Sequence, residues 1–382
     1  LRDNTSGSQN TAVGHNALIQ NTTADYNTAV GVCSMFANTT GTKNTAVGWK
    51  SLRANTGGCR NTVIGMEALK DNTTGCHNTA SGYYALNENE TGSYNTAVGD
   101  SALGANTTGN DNTASGYKAL SCNTTASYNA AFGKNALKVN TTGTKNTALG
   151  TFTLLANSTG DHNTASGYRA LASNTTGCFN TASGYAALIN NTTGCHNTAI
   201  GRASLLDNTT GCLNTAVGSD ALCANTTGER SAAFGYQALL KATTGGFNTA
   251  VGTYSLNQST TAKCNVAVGT EAMFYNTTGC ENTSIGFRSL HCNTTSSHNT
   301  AVGMCSLFSN TTGAQNVALG FKSLRSNTCG DYNSGFGYKA LDGNTTGAYN
   351  TAVGYKVMLA NTTGYSNTAS GYCALATNTT GF

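Results

Sequence analysis

The sequence predicts an all-β fold, a β-solenoid of 17-residue repeats, and three observations carry that expectation. From Asn10 onward the chain repeats every 17 residues without one insertion or deletion, so that 22 copies begin between Asn10 and Asn367. Glycine stands at the fifth position of every copy, from Gly14 to Gly371. Proline is absent from all 382 residues, which leaves every backbone N–H able to join a ladder. The unit reads N-T-A-V-G-Y-x-A-L-x-x-N-T-T-G-x-x. A period this short overrides the expectation of two or three globular domains from length, because one copy buries nothing without its neighbours. Residues 1–382 are therefore expected to be a single continuous array, a segment of a longer fibre, since the chain opens and stops inside a copy.

Taken in order, positions 1 to 5 predict a strand. Position 3 is Ala in 19 copies, departing at Val63, Ser284 and Gly335, so a small residue and a glycine sit two apart on one side. That Ala/Gly strip is the expected contact between neighbouring coils. Position 4 is usually Val, Ile, Leu or Phe, and position 6 shares its face. In five copies position 4 becomes Ser (Ser81, Ser115, Ser166, Ser183, Ser370), and in all five position 6 is Tyr (Tyr83, Tyr117, Tyr168, Tyr185, Tyr372). Either a ring two residues on covers the area that a lost Val would have covered, or the pairing is chance, Tyr being common at position 6. The stretch after the glycine, as in Tyr117-Lys-Ala-Leu120, reads as either a second short strand or one helical turn. Position 9 is Leu, or Met at Met35, Met273 and Met358. Asn-Thr-Thr-Gly at positions 12 to 15 is turn chemistry. One rung per copy gives a rise of roughly 4.8 Å and an array about 100 Å long. Its core of Ala and Leu is thin against a backbone ordering cost of about 1–2 kcal/mol per residue, so a stacked ladder of the position-1 asparagines is the natural supplement.

The consensus N-T-A-V-G-Y-x-A-L resembles the head repeats of trimeric autotransporter adhesins of the YadA type, whose SVAIG-like strands form a left-handed β-roll. The whole unit is also similar to the NTAVGYxAL/NTTG arrays of bacterial, phage and giant-virus fibre proteins. The period here is longer than in the adhesin heads, with an added NTTG turn, and no coiled-coil stalk follows. The resemblance implies a surface fibre and not an enzyme.

Several features bear on chemistry. Position 12 begins an N-x-[ST] sequon at Asn4, Asn21, Asn38, Asn72, Asn89, Asn106, Asn123, Asn140, Asn157, Asn174, Asn191, Asn208, Asn225, Asn276, Asn293, Asn310, Asn344, Asn361 and Asn378. These are acceptors for N-linked glycans on exposed turns, expected to point outward along one edge, with gaps at Ala242 and Ser259. The alternative is that Asn-Thr-Thr-Gly is only a good turn. Of the 14 cysteines, Cys59, Cys76, Cys178, Cys195 and Cys212 share position 16 in consecutive copies, within reach of cross-rung disulfides in an oxidising setting. Free thiols acting as small turn residues are the rival reading. Cys76-His77 and Cys195-His196 lack the paired spacing of a zinc site. The six histidines and the acid pair Glu88/Glu90 form no catalytic pattern, and no glycine cluster is followed by Lys in phosphate-cradling fashion, so neither metal, cofactor nor catalytic residues are expected. Tyr338, Tyr355 and Tyr372 are expected to stack. Charged residues make up only 9%, with a net charge of +4 spread thinly, so nucleic acid is not an expected partner, and no apolar run reaches the ~20 residues of a membrane span.

These readings converge on a structural subunit of an extracellular, cell-surface or virion-surface filament. It would self-associate head to tail or laterally, with three chains per fibre as one arrangement, and carry a carbohydrate coat. The alternatives are an adhesin that binds a receptor through its tyrosines and an ice-binding solenoid using threonine columns at positions 2, 13 and 14.

Overall fold

The structure, a computed structural model, describes residues 1–382. The chain divides into two units, Leu1–Thr193 and Gly194–Phe382. Each is a parallel β-solenoid in which one copy makes one turn and the only regular element per turn is a three-residue strand at positions 2 to 4. Strands β1 (Thr11–Val13) to β11 (Thr181–Ser183) belong to the first unit and β12 (Thr198–Ile200) to β22 (Thr368–Ser370) to the second. Within each unit the pairing is parallel with a shift of one period, as in Thr11 opposite Thr28 and Thr198 opposite Thr215.

The copy 95–111 shows how the sequence closes a turn. In its strand, Thr96–Val98, the central Ala97 is fully buried while Val98 faces solvent. Gly99 then takes a φ of 129°, which only glycine adopts without strain. The Ala102 N–H donates to the Gly99 carbonyl at 3.4 Å, closing a turn whose third residue, Ser101, has φ 55°, in the manner of type II. Leu103 (φ 51°) and Asp111 (φ 55°) are left-handed as well. Single left-handed residues at positions 7 and 9 stop the chain from continuing as a right-handed helix. The segment after the glycine is consequently neither of the two expected elements but a run of tight turns.

Those turns are held from above and below. Gly99 and Ser101 donate to the carbonyls of Ser81 and Tyr83 in the preceding turn, both at 2.8 Å, while Leu103 and Ala105 donate to Ala119 and Ser121 in the following turn, at 3.0 and 3.1 Å. Inter-turn hydrogen bonds thus run around the perimeter and not only through the strand, which is why a proline at most positions would remove a bond. The core is the column of position-3 residues, mostly alanine, position-8 Ala or Ser (Thr153 and Val357 in two copies) and position-9 Leu or Met, exemplified by the fully buried Ala97, Ala102 and Leu103.

The expected contact between coils through the Ala/Gly strip is corrected by this geometry. The position-3 side chain points inward, and a Cβ placed on Gly99 would sit 2.7 Å from the Gly116 carbonyl oxygen of the next turn. Smallness there serves the stacking of turns within a coil.

Candidate functional site

Asparagine lines the interior in two columns. At position 12, Asn106 Nδ2 donates to Asn89 Oδ1 of the preceding turn at 2.7 Å and to the Gly109 carbonyl of its own turn at 3.0 Å. At position 1, Asn95 Nδ2 donates to that same Gly109 carbonyl at 2.8 Å, and its Oδ1 accepts the backbone N–H of Asn112 at 3.0 Å. The position-1 ladder expected from the sequence is present, and position 12 adds a second. Both amides converge on one carbonyl, so each turn is cross-braced by neutral groups that are hydrogen-bonded, which is what a buried polar group requires.

This geometry corrects the expectation of outward-pointing asparagines. Seventeen of the nineteen sequon residues, from Asn21 to Asn361, are buried, and only Asn4 and Asn378 are half-exposed. A glycan bonded to Nδ2 replaces one of the two hydrogens that the ladder uses, and its first sugar ring has no space in the core. The NTTG asparagine is an internal brace. The column lapses at Ala242 and Ser259, where the buried Ser259 Oγ has no hydrogen-bond partner. The position-13 threonines are also engaged, Thr107 Oγ1 donating to the Thr124 carbonyl at 3.1 Å. That commits the hydroxyl protons of one of the three expected threonine columns to the next turn, although the residues themselves stay half-exposed or exposed.

The outer face is apolar. Position 4 is exposed, as at Val47, Ile64, Val98, Phe132 and Leu149, and so is position 6, as at Trp49, Met66, Tyr83, Tyr117 and Tyr168. Every turn carries a bulky apolar or aromatic side chain at one or both positions: Ser81 goes with Tyr83, and the polar Asp100, Lys134 and Arg202 go with Val98, Phe132 and Ile200. The exchange of Ser for Val beside Tyr therefore occurs on a solvent face. The expected tyrosine column forms, with Phe321, Tyr338, Tyr355 and Tyr372 stacked at 5.3, 5.1 and 5.1 Å.

Position 16 accepts a hydrogen bond from the turn below. The Ser8 N–H donates to Asp25 Oδ1 at 2.6 Å, Cys76 N–H to Ser93 Oγ at 3.0 Å, and Cys59 N–H and Cys195 N–H to the sulfurs of Cys76 and Cys212, each at 3.1 Å. A short acceptor suits the site, and Cys shares it with Ser, Thr, Asn and Asp in fifteen copies, while Glu229, Gly246, Lys263, Ala314, Ala348, Tyr365 and Phe382 fill it in the others. Cys178 holds the same repeat position in the first unit. Cys59 Sγ and Cys76 Sγ lie 2.9 Å apart, and the hydrogen bond to Cys76 pushes the Cys59 pKa up. Treatment with a disulfide oxidant is expected to join this pair, faster as pH rises because a raised pKa leaves less thiolate at neutrality. Thiol mapping that recovers both as free thiols after oxidation would remove the staple and leave the acceptor role.

One cluster is invisible to local sequence patterns. Glu271 Oε2 lies 2.7 Å from Arg288 Nε and 3.2 Å from His291 Nε2, and His291 Nδ1 lies 3.6 Å from Cys292 Sγ. His291 is stacked between Phe274 and Phe308 at 5.6 and 5.1 Å. Its pKa is lowered by burial, the Cys292 pKa is raised by burial, and Arg288 holds the Glu271 carboxyl below its usual range. The imidazole is thus neutral near pH 7 and the thiol protonated, a packed network built by positions 7, 10 and 11 of neighbouring turns. His77, by contrast, stacks on Tyr94 at 4.8 Å.

No helix is long and apolar enough to cross a membrane. No family model matches the chain, and no curated protein is similar to it.

Proposed function

We propose that this chain is a structural segment of a filament on a cell or virion surface, joined side by side to a second copy through the stripe of positions 4 and 6. The carrying observation is the complementarity of those two positions on an outward face. Folding alone does not demand that a solvent-facing Ser be matched by Tyr, whereas a contact running the length of a coil does. Aromatic side chains carry about 150–250 Å² each, so the exposed parts of Trp49, Tyr83, Tyr117, Tyr168 and Tyr185 with the intervening Val, Ile and Leu residues amount to roughly 800 Å² in the first unit. That equals the area per partner of a standard interface, and it exceeds the patch a monomer ordinarily leaves bare. A second copy offers the same spacing of turns, so side chains interdigitate in register along the stripe of the first unit. The proposal carries no glycan coat; the apolar stripe is covered by protein.

Sedimentation of the full chain at micromolar concentration tests this. The parent is expected as a dimer or larger species. Ile64→Lys with Leu149→Lys, both on the exposed stripe, is expected to shift it toward monomer while leaving the circular dichroism unchanged. A parent that sediments as a monomer under the same conditions overturns the lateral contact.

A further inference from the structure

A thin spread of charge along the sequence hides a local concentration in the second unit. In the second unit the other charged side chains at position 7 are matched, Asp220 to Arg202 and Glu271 to Arg288. Lys322, Lys339 and Lys356 fill position 7 of three successive turns, and none of the ion pairs of the second unit includes them. Each ammonium lies beside the ring of its own turn, at 5.0 Å from Phe321, 5.7 Å from Tyr338 and 5.2 Å from Tyr355. Like charges held directly opposite one another on neighbouring strands oppose folding, yet here they are set in register beside a ring column with a repeat near 5.1 Å. A second copy laid against this stretch adds more positive charge and does not relieve the repulsion.

We infer that the Lys322/Lys339/Lys356 column, with the hydroxyl edge of Tyr338, Tyr355 and Tyr372, binds a linear acidic polysaccharide that carries one carboxylate per sugar ring. Charge complementarity names a polyanion, and two details choose its class. The rings are nearly parallel, 7° and 2° apart between successive tyrosines, so their faces cover each other and only edges and hydroxyls look outward. Nucleic-acid bases are held by stacking on open aromatic faces, and between its successive rings this column offers none. Spacing points the same way: duplex DNA presents one charge per about 1.7 Å of axis, whereas a uronic acid chain presents one per sugar, close to the distance between turns. The phenol edges then meet sugar hydroxyls while each ammonium meets a carboxylate. This goes beyond the filament reading: it takes the position-6 tyrosines of the last turns out of the lateral stripe and adds the position-7 lysines beside them.

The test uses the full chain with polygalacturonate as probe, and dextran and poly(dT) as comparisons, in titrations at two salt concentrations. Polygalacturonate is expected to bind and dextran not, with an affinity that falls on a log–log salt plot with a slope of about −2 to −3, as three ammonium contacts require. The triple variant Lys322→Gln, Lys339→Gln, Lys356→Gln is expected to lose roughly tenfold or more, while the Lys→Arg triple keeps binding. If the Gln variant does not fold by circular dichroism, Tyr338→Phe with Tyr355→Phe and Tyr372→Phe decides instead, weakening polygalacturonate and leaving the salt slope unchanged. Absence of polygalacturonate binding, equal binding by the folded Gln variant, or tighter binding of poly(dT) each overturns the proposal. Sedimentation of the same samples reads the lateral contact separately, so either idea can fail without the other.

Discussion

Asn140→Asp is expected to destabilise the first unit by about 3–5 kcal/mol, the range found when a buried polar pair is broken and a charge is left unpaired. Asn140 is fully buried, and its Nδ2 donates to Asn123 Oδ1 at 3.0 Å and to the Gly143 carbonyl at 2.9 Å. A carboxylate cannot donate, so the exchange sets one of its oxygens against two acceptors, while the other still accepts from Asn157 Nδ2. Asn140→Ala removes the donors without adding charge and is expected to cost about 1–3 kcal/mol; Ala242 shows that a turn survives it. The sign of the pH dependence separates the two. A buried carboxyl has its pKa raised above the unfolded value, so the Asp variant is least impaired in acid and loses stability as pH rises through that value, while the Ala variant is flat. Urea unfolding at two pH values reads both. Equal midpoints for parent and Asp variant at neutral pH would mean the column is not a brace.

The second large effect is expected at Gly201→Val. Gly201 has φ 125°, and a Cβ there would meet the Gly218 carbonyl oxygen and carbon at 2.6 and 2.7 Å. Backbone atoms cannot move aside as a side-chain tip does. Strain of about 1–3 kcal/mol from the conformation adds to a similar overpacking term, and stacking contacts to the following turn go with it. Protease nicking close to residue 201, absent from the parent, is the local signature. An equivalent exchange at an exposed position, Val98→Thr, is expected to be close to neutral. Undiminished stability of the Gly201→Val protein would show that the turn tolerates another backbone path.

The period, the strand at positions 2 to 4, the turn at NTTG and the stacking of like positions were legible because each rests on a repeated local property: glycine where only glycine fits, no proline, a small residue in the strand. The direction of side chains was not. Alternation assigns residues to two faces without saying which is the interior, and Ala97 and Val98 suit either. Hydrophobicity would place the position-4 Val inside; the coil is narrow enough that a small residue, Ala in 19 copies, takes the interior position 3, with Val63 the one larger side chain there. The sequon was misplaced for a related reason, since Asn in a turn is normally wet, and only three-dimensional closure shows that Asn106 and Asn95 share the Gly109 carbonyl. The left-handed leucines gave no signal either, because Leu is a poor choice for φ near 50° and is held there by core packing. Clusters such as Glu271, Arg288 and His291 come from different turns and can be found in sequence only by aligning residues one period apart.

The bonds that run from turn to turn around the whole perimeter have a further consequence, for how such a chain finds its register. Copies of nearly equal sequence offer each turn several acceptable partners, so stacking copy three on copy one is locally as good as stacking it on copy two, with one copy expelled as a bulge. What forbids the slip is the absence of slack. Position 17 of one turn is bonded directly to position 1 of the next, as Asp111 is to Asn112, and the carbonyl of Asn112 already accepts the Thr96 N–H at 2.8 Å. An expelled copy must have all its donors rehydrated and its backbone reopened, while the turns it separates gain nothing they did not have. Addition or loss of whole periods is, on the same grounds, an almost silent change to a coil of this kind, and any change that is not a multiple of 17 residues breaks every ladder beyond it at once.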